Sequence, residues 1–146
     1  MAIGYVSARQ TTELIVRLPQ DYAGLLMVVE AAEADANVSI RRGEIELDFT
    51  DSTIVRIDDI SIFVGRYFRA RPLVMNDSGS WTKVGWYFEL KQDPGTNVFM
   101  IGGHSPRHKS FTLYYCRVQD IDKATDLLRD RELQELLENP ALLELK

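Results

Sequence analysis

Between Glu44 and Phe49 the chain alternates without a break, with Ile45, Leu47 and Phe49 on one side of an extended backbone and Glu44, Glu46 and Asp48 on the other. A period of two with one wet face predicts a β-strand there. Glu13–Leu18 is short, apolar and β-branched, so it predicts a first strand, stopped by Pro19. Val38–Arg42 adds a strand before an Arg42-Gly43 turn. Thr53–Ile57 and Ile60–Phe68 follow, set apart by turns at Asp51-Ser52 and Asp58-Asp59, with Gly65 as a bend. Arg69–Met75 contains Pro72, which predicts an edge or a connection rather than a central strand. Beyond the Asn76–Ser80 loop, Trp81–Leu90 alternates again, setting Val84, Trp86, Phe88 and Leu90 against Lys83, Tyr87 and Glu89. Asp93-Pro94-Gly95 then turns the chain into Val98–Cys116, two apolar, aromatic arms around a short basic loop. That stretch predicts a β-hairpin at the centre of an antiparallel sheet.

Two regions change period. Pro19-Gln20-Asp21 opens like a helix, and Tyr22, Leu25, Leu26, Val29 and Ala32 recur at helical spacing as far as Ala36-Asn37. After Arg117, Asp120 caps a segment with Ile121, Ala124, Leu127 and Leu128 on one side. Glu132–Glu138 then groups Leu133, Leu136 and Leu137 until Asn139-Pro140 interrupts them. Met1–Gln10 carries little periodicity and reads as a loose arm. The expected fold is a single α+β domain over 1–146, a curved antiparallel β-sheet with an N-terminal helix and C-terminal helices packed on one face.

Composition narrows the functional classes. A chain of 146 residues with 45% hydrophobic and 27% charged residues can bury a core unaided. A net charge of -5 and a pI near 5.0 argue against a general nucleic-acid binder. The single cysteine, Cys116, rules out an internal disulfide and reads as a small buried hydrophobe. The sequence shows no secretory signal and no apolar run of bilayer length, so the expected setting is cytoplasmic and reducing, with no membrane contact.

Versatile side chains gather in the basic loop. His104, Ser105, Arg107, His108 and Lys109 follow Gly102-Gly103, a cluster that would cradle a phosphate or carboxylate, with Tyr114 and Tyr115 near enough to stack a base. It lacks a P-loop and any strand-to-helix glycine fingerprint. The two histidines are not on an expected helix and lack an assured third ligand, so neither a metal nor a cofactor is expected. There is no nucleophile elbow, and no catalytic residue is assigned.

Arg66, Tyr67, Arg69 and Arg71 form a second basic-aromatic patch, composed like a protein interface. Leu133, Leu136, Leu137 and Leu142 make a leucine-rich ridge suited to docking. Over Leu133–Leu143 this segment resembles the asparagine-proline-leucine helices of Hop-type co-chaperone repeats. It departs from them in having Asp130-Arg131 where that family opens on aspartate-proline.

The expected function is a non-enzymatic, cytosolic protein–protein interaction module of the adaptor, inhibitor or immunity-protein kind. Its partner would be another protein or a second copy of the chain. The alternative is a small phosphate- or nucleotide-binding protein or hydrolase using the basic loop. RNA binding through the local basic patches is weaker still.

Overall fold

A strand buried on both faces needs apolar residues at every position, and Gly24–Glu30 (GLLMVVE) supplies them. The computed structural model describes residues 11–87 and 93–145, and in it this segment is β2, the second strand after β1 (Thr11–Leu18). The helix expected from Pro19 to Asn37 is therefore replaced by a strand. Leu26 and Val28 point into one core and Leu25, Met27 and Val29 into another, so the helical spacing arose from an apolar run with no polar face.

The remaining strands are β3 (Val38–Arg41), β4 (Glu44–Asp48), β5 (Ile54–Ile57), β6 (Tyr67–Met75), β7 (Trp81–Lys83), β8 (Asn97–Ser105) and β9 (Ser110–Arg117). They form two sheets rather than one. The first has the order β3-β4-β1-β6-β7 and the second β5-β2-β9-β8. Both are mixed: β1 runs parallel to β4 and β6, and β2 parallel to β5, while the other pairs are antiparallel. The expectation of an α+β fold on one antiparallel sheet is corrected to a β-dominated pair of mixed sheets.

The two sheets face each other across the main core. Leu14, Val16 and Leu18 from β1 and Ile45 and Leu47 from β4 meet Leu26, Val28, Phe99, Phe111 and Leu113 from the second sheet. Each such side chain contributes roughly 1.5–3 kcal/mol by leaving water. The expected strand over Ile60–Phe68 breaks in two. Asp59 accepts from the Ser61 amide at 3.0 Å and caps a 3-10 turn over Ile60–Phe63. That turn delivers Phe63 onto Phe111, with ring centroids 4.3 Å apart.

Pro72 also departs from expectation, because β6 is an inner strand of nine residues. Its carbonyl accepts from Val84 N at 2.8 Å, so its nitrogen faces the β7 side, where that strand ends. No bond to β1 is lost.

The outer face of the second sheet carries a smaller core. Leu25, Met27, Val29, Tyr114 and Cys116 are covered by Ala124 of α1 (Ile121–Asp126), Leu136 of α2 (Leu133–Glu138) and Leu143 of a 3-10 turn (Pro140–Leu143). Helices of six residues are shorter than the leucine pattern implied. The arm expected over Met1–Gln10 and the end of the strand expected over Trp81–Leu90 fall outside the described residues.

Candidate functional site

The β8–β9 hairpin holds the basic loop at its tip, as a register running from Asn97↔Arg117 to Ser105↔Ser110 requires. The structure brings Ser105, Arg107 and His108 together, though as a clamp. His108 is 5% exposed. Its Nε2 lies 2.9 Å from the Arg131 carbonyl, which only accepts, so Nε2 carries the proton. In the neutral ring Nδ1 then accepts from the Ser105 hydroxyl at 3.2 Å. Arg107 donates to the Glu132 carboxylate at 2.7 Å. These bonds fasten the hairpin tip to the chain between α1 and α2. His104 and Lys109 stay outside the clamp, exposed on β8 and in the turn.

A depression of about 470 Å³ adjoins the clamp, lined by Glu30, Asp58, Arg107, His108, Lys109 and Leu133. The Glu30 carboxylate accepts from Ile60 N at 3.1 Å. An anion entering here would meet two carboxylates, and the arginine expected to grip it is already paired. The arrangement therefore offers little to a phosphate.

The acidic strand and the histidines do not meet. Glu44, Glu46 and Asp48 point away from the second sheet because Ile45 and Leu47 point towards it. Among the described residues, no group of three or more histidine, cysteine or acidic side chains is placed to hold a metal ion. Burial, with the charge of Asp120 beyond it, pushes the Cys116 thiol up to about 11, which leaves it protonated near neutrality.

The acidic strand does meet the arginine patch. β4 and β6 both pair with β1 in parallel, so Glu44, Glu13 and Arg69 form one row across the outer face of the first sheet. Glu46, Ile15 and Arg71 form the next row. An acidic column on β4 thus stands about 10 Å from a basic column on β6, twice the strand spacing. Arg71 bonds Glu13 at 3.3 Å and Arg17 bonds Glu46 at 3.2 Å, bridging the columns through β1. No described helix covers this face.

Arg66 sits at its margin, donating to Thr12 Oγ1 at 3.3 Å, and Tyr67 is 56% exposed. Sequence reasoning missed the corner where the Arg17 guanidinium lies 4.5 Å over the Trp81 ring. The alternation Glu13-Ile15-Arg17 was the available signal, since it puts Arg17 on the polar side of β1.

The leucine ridge has gone inward. Leu136 is fully buried, and Leu133, Leu137 and Leu142 are half-buried against the smaller core. They close over β2 and β9 and leave no continuous apolar ridge in water.

No family model and no curated protein matches this chain. Among solved structures, it is similar to a 2.75 Å crystal structure from Bacillus anthracis described provisionally as a lipoprotein. The TM-score is 0.49 and the identity 14%, over 90% of this chain and 95% of that one. The cytoplasmic setting expected from the sequence is not shared by the description of that neighbour and is not carried forward. So loose a likeness places this chain in no compartment of its own. Within the described residues no helix is long and apolar enough to cross a membrane.

Proposed function

We propose that this chain is a protein-recognition module whose contact surface is the outer face of the first sheet. The observation that carries the reading is the side-by-side placement of two charge columns of opposite sign on a face that no described helix covers. A partner surface with the inverse pattern would meet arginine with carboxylate along β6 and carboxylate with cation along β4. Such patterning governs encounter rate and choice of partner more than raw affinity. Tyr67, Met75 and Trp81 give the face the exposed apolar and aromatic area that interface anchors use. The second sheet offers no comparable surface, since its outer face is covered by the C-terminal helices.

A photo-crosslinking residue placed at Arg69, and another at Lys123 on the helical side, test the reading in native extract. Crosslinks to one protein species from position 69, absent at 123 and lost on adding Glu44→Lys with Arg71→Glu, are expected. Equal crosslinking from both positions, or indifference to the charge reversals, refutes it.

A further inference from the structure

A second depression opens at one end of the sandwich, where the β1–β2 connection, the β6–β7 turn, the start of β8 and the chain's last described residues converge. It holds about 450 Å³. Asp21, Asp77 and Glu144 stand around it, and no lysine, arginine or histidine lines it among the described residues. Uncompensated carboxylates on a rim are ordinary surface chemistry and would mean nothing alone.

Tyr115 is the independent sign. Its ring packs in the main core, it is only 7% exposed, and it lines this same depression. Two other tyrosines are satisfied: Tyr22, which also lines the depression, donates to the Leu25 carbonyl at 2.6 Å, and Tyr114, on the opposite face of the second sheet, has its hydroxyl 3.1 Å from that of Thr125. The Tyr115 hydroxyl has no hydrogen-bond partner among the described residues. It is not sealed in, as the unpaired hydroxyls of Ser110 and Thr112 are. Its open side is the depression. Burial, then the negative charge of Asp21, raises the Tyr115 phenol above its ordinary value, so it stays a neutral dipole facing carboxylates. Gln20 commits its amide nitrogen to the Met75 carbonyl at 2.5 Å, which leaves its oxygen as an acceptor.

The lining is therefore rich in acceptors and poor in cationic donors. A bare metal ion needs ligands that converge, and no such group is present among the described residues. Acceptors spread around an open rim suit an ammonium head, whose three N–H groups point in different directions. We propose that this depression binds a primary alkylammonium group, carried either by a small diamine or by a lysine side chain. The site adjoins the open face of the first sheet, with Met75 at their shared edge, but Asp21, Glu144 and Tyr115 lie outside that face.

Isothermal titration at low ionic strength tests this with 1,5-diaminopentane and with N-acetyl-lysine methylamide. 1,5-Pentanediol and N-acetyl-norleucine methylamide serve as uncharged counterparts. One saturable site for an ammonium ligand is expected, with none for either counterpart, and weakening as salt rises. Asp21→Asn and Glu144→Gln should each weaken binding by roughly two- to five-fold, the span of one exposed charge pair. Tyr115→Phe should weaken it too, while the urea midpoints of the two carboxylate variants stay at the wild-type value. Binding of the diamine alone identifies a free amine as the source, and binding of the lysine derivative identifies a side chain. Absence of saturation by both, equal binding of the uncharged ligands, or unchanged affinity in the Asp21→Asn/Glu144→Gln double variant overturns the proposal.

Discussion

Replacing Gly24 by alanine tests how the end of the chain is held. Gly24 opens β2 at φ 152°, and a Cβ there would lie 2.2 Å from the Leu143 carbonyl oxygen and 3.0 Å from Glu144 Cα. Both contacts are backbone, so no rotamer change relieves them. The backbone conformation itself costs an alanine roughly 1–3 kcal/mol. To clear the carbonyl, the segment after Pro140 must shift, weakening the bond from Leu145 N to Ala23 O at 2.8 Å. That bond is worth about 1 kcal/mol. The fully buried Leu143 would shift with it, with up to roughly 1.5–3 kcal/mol at stake.

Since the shift is partial, the expected loss is about 3–5 kcal/mol. Gly43→Ala is the internal control. Its φ of 77° is equally foreign to alanine, yet nothing lies within 4 Å of the added carbon, so only about 1–2 kcal/mol is lost. At about 3 °C per kcal/mol for a chain of this size, the Tm falls by roughly 10–15 °C in the first variant and 3–6 °C in the second. Urea unfolding followed by tryptophan fluorescence gives the same comparison at constant temperature. Equal losses in the two variants would refute the close approach of the C-terminal segment to β2.

Two further outcomes follow from the clamp and the buried thiol. His108→Ala removes the side-chain bonds to Ser105 and Arg131 and leaves the half-buried Arg131 carbonyl only a long 3.4 Å bond from Arg107, so it should cost about 2–3 kcal/mol in urea unfolding. Arg107→Ala, which breaks an exposed ion pair and a long 3.4 Å exposed bond to the Arg131 carbonyl, should cost under about 1 kcal/mol, and equal costs would discredit the clamp. Cys116 ionises at 9.0 by its ordinary value and at about 11 in the fold, so the unfolded thiol loses its proton first. Stability should therefore fall between those pH values by up to about 3 kcal/mol in wild type relative to Cys116→Ala. A constant difference between the two proteins from pH 8 to 11 would refute it.

Strands with one wet face were legible because their chemistry alternates. Glu44–Phe49 and Glu13–Leu18 fall close to β4 and β1, and the 98–116 hairpin matches β8 and β9. β2 was not legible, since an element covered on both sides has no polar face to betray its period, and Leu25, Leu26 and Val29 fit a helix equally well. Nor does composition reveal that Asp59 will cap a turn and cut Ile60–Phe68 in two.

The same limit governed the sites. Arg69 and Glu44 are distant in sequence, and only the parallel pairing of β1 with both β4 and β6 puts them in one row. The basic loop stood out, yet its partners, the Arg131 carbonyl and Glu132, belong to a segment whose approach no local pattern announces.

The order in which the chain visits the two sheets has a kinetic consequence. β1 lies in the first sheet, β2 in the second, β3 and β4 in the first, β5 in the second, β6 and β7 in the first, and β8 and β9 in the second. The central strand β1 waits for partners as remote as Tyr67 opposite Thr11. Loop-closure entropy must be met before these distant pairings return anything, so folding belongs to the slow, high-contact-order regime of milliseconds to seconds. A chain emerging from the ribosome would leave one edge of β1 unpaired until β6 arrives, even after β4 has covered the other, which makes the half-synthesised protein the form most prone to aggregate.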